Sequence, residues 1–116
     1  MKIFHNPRCS KSRCALEWLK DNNYEFEVID YLKYPVDKNA LKDVLNKLKF
    51  SPIELIRKNE IEYKDFILGK DLSDDELIAL MVRYPKLIER PVIVLGENAV
   101  VARPLEKLIE MLQVQN

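Results

Sequence analysis

Residues 4 to 20 read FHNPRCSKSRCALEWLK, and the first chemistry they offer is that of a thiol. Cys9 follows Pro7-Arg8 and precedes a hydroxylic and cationic run, Ser10-Lys11-Ser12-Arg13. A cysteine used only for packing belongs on an apolar face. These flanks suit a thiol that ionises. The thiolate is the nucleophile, and a free thiol with a pKa of about 8.5 drops to roughly 3.5–7.5 at a helix N-terminus or beside cations. Both influences are within reach of Cys9. Unpaired backbone N–H groups and the positive end of the macrodipole gather at the first turn of a helix, and Arg8, Lys11 and Arg13 add charge nearby. Ser10 and Ser12 can donate hydrogen bonds to a sulfur anion or to an oxyanion. Such a turn also cradles anions, so one loop can hold an oxyanion and present a nucleophile to it.

Two neighbours qualify this picture. His5 ends the preceding strand, and an imidazole with a pKa near 6.5 could tune or deprotonate Cys9; equally, it could simply bond backbone, so it is placed in support of Cys9. Cys14 invites a dithiol reading, but five residues of helix turn through about 500°, leaving the two side chains roughly 140° apart. The position that would carry the second thiol of a C-x-x-C motif holds Ser12. Cys14 is expected to pack beside Trp18, one turn on.

The elements that must position Cys9 follow from periodicity. Lys2 to His5 reads as a strand, ended by Pro7, which removes a donor and pushes Asn6 toward extended backbone. Cys14, Ala15, Leu16, Trp18 and Leu19 fit one face of a helix from about Ser10 to Asp21. A second strand spans roughly 26 to 31. Asp37 can cap a helix carrying Leu41, Val44, Leu45 and Leu48, and Ser51-Pro52 opens a short helical turn. Residues 60 to 72 give no clear pattern. Ser73-Asp74-Asp75-Glu76 matches a capping box; with Asp71 these acids read as a helix cap, not a metal site. Val92 to Leu95 suits a buried strand, Gly96-Glu97-Asn98 a tight turn, and Ala99 to Arg103 an antiparallel return. Pro104 is a good first helical residue for a helix through Leu112. The order is βαβ, a helical insertion from about 36 to 89, then ββα. By fold-level analogy this α/β order is the thioredoxin-like arrangement in one expanded domain covering residues 1–116.

Bulk properties narrow the function. A chain of 116 residues with 47% apolar and 33% charged residues suits one core. Lys plus Arg and Asp plus Glu number 19 each. No global field therefore favours nucleic acid or a membrane surface, and any preference for anions must come from local cations. No apolar run nears the roughly 20 residues of a membrane span, and the N-terminus has no signal-peptide pattern, so a cytoplasmic location is expected. Two cysteines and one histidine are too few for a structural zinc site.

HNPRCSKSR resembles the H-N-P-x-C-x-x-S-R signature of the glutaredoxin-coupled arsenate reductase family, with Cys9 at the nucleophile position. Later stretches are similar too. LIRKNE (55–60) resembles the family's R-K-N segment and places Arg57 at its first anion-binding arginine. ERPVIV (89–94) resembles the R-P element before the third strand, with Arg90 as the second arginine, and VARP (101–104) the final R-P pair, with Arg103 as the third. The likeness runs from about Lys2 to Leu112. It implies that Cys9 attacks arsenate to form a thiol-linked adduct. Glutathione, a co-substrate, then attacks; arsenic becomes trivalent, and glutaredoxin resolves the glutathione-bearing intermediate without bound metal or flavin. It also implies a cis Pro91 beside the cysteine. Three arginines suit a tetrahedral polyanion, because guanidinium groups are forked donors that keep their charge at any cellular pH. Arg13 could instead be a helix-surface or intramolecular partner.

Two other readings share these features. Spx-type transcription regulators resemble this family and bind RNA polymerase, but they usually carry C-x-x-C, whereas this chain has Cys9 and Ser12. A thiol-disulfide reductase acting on glutathionylated partners would not need three convergent arginines.

Overall fold

The computed structural model describes residues 1–115. Strand β1 (Lys2–His5) leads into helix α1 (Ser10–Asp21) and strand β2 (Glu27–Asp30). Next come α2 (Lys38–Leu48), a 3-10 turn at Pro52–Leu55, α3 (Ile61–Phe66), α4 (Asp74–Arg83) and a second 3-10 turn at Pro85–Leu87. Strands β3 (Val92–Leu95) and β4 (Asn98–Val101) and helix α5 (Glu106–Gln115) complete the chain. The fold is the expected mixed α/β arrangement. It divides into two compact units: residues 1–34 with the stretch from Arg90 onward, and residues 35–89.

The first unit holds a four-stranded sheet of order β2-β1-β3-β4. Strand β1 pairs in parallel with β2, placing His5 opposite Asp30, and antiparallel with β3, placing Phe4 opposite Val92. The hairpin β3–β4 closes over Gly96-Glu97, with Val92 opposite Val101. Gly96 has φ 60°, and a positive φ at the first of two turn residues is the type II′ pattern that suits the twist of paired strands. Ile3, Ala15, Leu19, Ile93, Ala102, Leu108 and Leu112 form one buried cluster. Both α1 and α5 thus bury residues in the same core as β1 and β3.

The second unit is helical and has its own buried set, including Leu41, Val44, Leu45, Leu48, Leu77, Ile78, Met81 and Leu87. Asp37 caps α2 by accepting the Ala40 N–H at 2.8 Å. Ser73 caps α4, accepting from the Glu76 amide at 3.2 Å while the Glu76 carboxylate accepts from the Ser73 amide at 3.3 Å.

Four local readings need correction. Helix α3 lies in the stretch that gave no pattern; it contributes no buried residue, so it has no apolar stripe to read. Strand β2 is shorter than 26–31, leaving Phe26 outside it. Pro104 precedes α5 instead of opening it, because Lys107 and Leu108 bond back to Pro104 and Leu105 in tighter i→i+3 turns first. Cys14, expected to pack beside Trp18, is exposed. Trp18 instead stacks on Tyr24, with ring centroids 5.8 Å apart.

Candidate active site

Cys9 is the N-cap of α1, with extended backbone at φ −96° and ψ 123°, and its carbonyl accepts the first helical bond from Arg13 N at 3.0 Å. No hydroxyl or carboxylate caps this helix, so its first amides face the thiol. The thiol is partly exposed. Partial burial works against its ionisation, yet the Ser12 amide, the Arg90 guanidinium and the Lys11 amide more than offset this and lower its pKa below the ordinary value. The sequence reading placed the relevant cations beside Cys9 in the chain. Arg8, Lys11 and Arg13 are all exposed, and the guanidinium that reaches the thiol is that of Arg90.

The loop before α1 is held from several sides. Cys9 N donates to Asn6 O at 3.0 Å, and Arg8 N donates to Asn6 Oδ1 at 2.9 Å. Arg13, read as a possible intramolecular partner, is one: its Nη1 donates to Pro7 O at 2.9 Å. Ser12 is fully buried. Its hydroxyl does not turn to the sulfur, as the sequence suggested, but accepts from Asn6 N at 3.0 Å and lies 2.7 Å from His5 Nδ1. The part of Ser12 that serves Cys9 is its backbone.

His5 is 6% exposed. Burial pushes its imidazole below the ordinary pKa; Asp30 across the β1–β2 pair opposes this, while Arg13 and Lys20 add to it. A neutral ring can accept the Ser12 hydroxyl hydrogen at Nδ1, which leaves that oxygen to accept the Asn6 amide. Asn6, buried at 5% exposure, entered the sequence reading only as an extended residue before Pro7 and as part of the H-N-P signature, with no bond assigned to its side chain.

Arg90 and Arg103 flank the hairpin, one just before β3 and one just after β4. Arg103 Nη1 donates to Arg90 O at 3.5 Å, and Ala102 N donates to Pro91 O at 2.9 Å. The Arg90–Pro91 peptide is cis, as the resemblance implied, and so is Arg103–Pro104, which was not anticipated. Arg57 belongs to the helical unit. It follows a bridge between Ile56 and Ile88, and its amide donates to Leu87 O at 2.7 Å. Its side chain is 14% exposed, with Nε 3.4 Å from a Glu60 carboxylate oxygen. Nε and Nη1 are enclosed and make no hydrogen bond among the described residues. The first unit therefore holds Cys9, His5, Ser12, Arg13, Arg90, Pro91 and Arg103, whereas Arg57 belongs to the second. Among the described residues, no three His, Cys, Asp or Glu side chains cluster as metal ligands, and no helix is long and apolar enough to cross a membrane.

A sheet of order β2-β1-β3-β4, a cysteine capping the helix after β1 and an arginine–cis-proline step into β3 define a thioredoxin-like protein with a thiol site. The chain belongs to the ArsC family, whose model matches residues 4–111. It is 46% identical over 113 residues to the Escherichia coli K12 protein named "Uncharacterized protein YfgD", covering 96% of this chain and 95% of that one. An arsenate reductase of Neisseria meningitidis is 41% identical over 110 residues, covering 93% of this chain and 94% of its own. The solved structure of an arsenate reductase from Vibrio cholerae superposes with a TM-score of 0.89 at 39% identity, covering 95% and 97% of the two chains.

Proposed function

We propose that this protein is an arsenate reductase in which the Cys9 thiolate attacks arsenate, with glutathione and glutaredoxin as reductants. The observation that carries the reading is the seating of the Cys9 thiol against the Arg90 guanidinium and the first amides of α1. A thiolate and an oxyanion repel, and fixed donors aimed at their meeting point offset that repulsion and stabilise the oxygen that departs. Arg90 and Arg103 take the anion in this reading. Arg57 is included in this reading on the resemblance of its LIRKNE segment.

The electron count supports the external thiols. Reduction of pentavalent to trivalent arsenic takes two electrons, which equals the oxidation of two thiols to one disulfide. Cys9 is a single thiol here; Cys14 lies on another side of α1 and is exposed. Cys9 therefore displaces an arsenate oxygen as water to carry the arsenic, glutathione displaces a second as water, a glutaredoxin thiol takes the glutathione as a mixed disulfide while the electron pair stays on arsenic, and water then cleaves the Cys9–arsenic(III) bond to release arsenite and the free thiol. No resident cofactor takes part in this scheme, and the site of reaction is proposed to be cytoplasmic, where glutathione is reduced.

The test is turnover of arsenate with glutathione, glutaredoxin, glutathione reductase and NADPH, followed by NADPH loss. Wild type should turn over, Cys9→Ser should be inactive, and Cys14→Ser should keep most activity. Alanine at Arg57, Arg90 or Arg103 should raise the KM for arsenate roughly tenfold or more, as lost charge-assisted bonds do. A wild type that ignores arsenate but retains RNA polymerase would move the protein to the regulator class.

A further inference from the structure

We propose that Asn6 is a positioning residue for the Cys9 thiolate, fixing the turn that aims the sulfur at the amides of α1. This rests on the reading of Cys9 as the reactive thiol. The amides of Lys11 and Ser12 lower the Cys9 pKa only if the sulfur lies over the helix mouth. That depends on how the chain enters the N-cap, and one side chain and its own backbone govern the entry.

Asn6 makes three bonds with separate tasks. Its carbonyl accepts the Cys9 amide at 3.0 Å, closing the turn Asn6-Pro7-Arg8-Cys9. Its Oδ1 accepts the Arg8 amide at 2.9 Å inside that turn, the local bond by which asparagine side chains imitate a backbone turn. Its own amide donates to Ser12 Oγ at 3.0 Å, tying the end of β1 to the first turn of α1. Asn6 therefore touches both the turn that delivers Cys9 and the helical turn that supplies the donors. Its position before proline holds it extended, so its amide can reach Ser12 while its side chain curls forward. Asn6 is buried, and a buried amide is retained only where its polar atoms are bonded.

Asn6→Ala removes the Oδ1 acceptor but leaves both backbone bonds possible. Asn6→Ser keeps a shorter acceptor on Cβ that can form the equivalent turn. The readout is the rate of Cys9 alkylation by iodoacetamide against pH, measured in a Cys14→Ser background, with thermal unfolding of each variant alongside. The alanine variant should raise the thiol pKa by about one unit, slowing alkylation roughly tenfold at neutral pH, and the serine variant should stay within about threefold of wild type. A folded Asn6→Ala with a wild-type profile, or equal losses in alanine and serine variants, would overturn the proposal. If the alanine variant does not fold, the serine variant decides alone: wild-type reactivity supports the proposal, and a tenfold loss ends it. A wild-type thiol with an ordinary pKa would instead defeat the function proposed above, which keeps the two failures distinct.

Discussion

Arg90 is distant from Cys9 in the chain and adjacent to it in space, and that separation decides how much of the site could be read. The electropositive character of Cys9 was legible from its flanks, but the wrong cations carried it: Arg8 and Lys11 face water, where charge is screened, while a residue entering β3 reaches the sulfur. Arg90→Ala should therefore raise the thiol pKa and slow alkylation at neutral pH several-fold, whereas Arg8→Ala should change it little; iodoacetamide kinetics against pH check both. The thiol ionises more readily in the folded chain than in the unfolded one. Its stabilising contribution is complete above the unfolded thiol's pKa, about 8.5, and fades as pH falls through the lower folded value. His5 works with the other charge type. Burial holds it neutral, so the unfolded chain takes up a proton that the folded chain resists. Stability should fall as pH drops below about 6.5 and level off once the folded value is passed. Urea midpoints between about pH 7.5 and 5 should decline in wild type and follow a flatter course in His5→Gln. Ser12 was identified as a donor for the sulfur, yet its hydroxyl belongs to His5 and Asn6, because a buried hydroxyl settles with whatever partners enclose it.

Elements whose ends carry their own chemistry were legible. Asp37 and Ser73 cap the helices they were expected to cap, since a side-chain oxygen two or three residues before an amide satisfies an orphan donor whatever the tertiary context. Ser73→Ala should cost about 1 kcal/mol in chemical denaturation and leave the rate of Cys9 alkylation unchanged, while Ser73→Asp should recover most of the loss. Helix α3 was illegible for the converse reason: none of its residues is buried, and Ile61 is 64% exposed. Cys14 misled through periodicity as well. It falls at the margin of the stripe made by Ala15, Leu16 and Leu19, and small differences in how α1 rolls on the sheet decide whether such a position meets core or water.

At the scale of the whole molecule, residues 35–89 form a unit bearing its own buried residues. Each core should therefore respond to its own cavity. Leu108→Ala in the first unit and Met81→Ala in the second should each cost roughly 2–5 kcal/mol by denaturant unfolding, because both side chains are fully buried. The pairing order of the strands was reached by analogy alone; nothing in a four-residue apolar run says which neighbour it will choose. The hairpin β3–β4 carries a last implication. Its open end holds Arg90 and Arg103, and its closed end, Gly96-Glu97, lies four paired residues away, about 13 Å at strand rise. Residues added in matched pairs at that far tip would lengthen the ribbon without sliding the two guanidinium-bearing residues past each other. The tip is thus the place to graft a label or an affinity tag while sparing the chemistry at the opposite end.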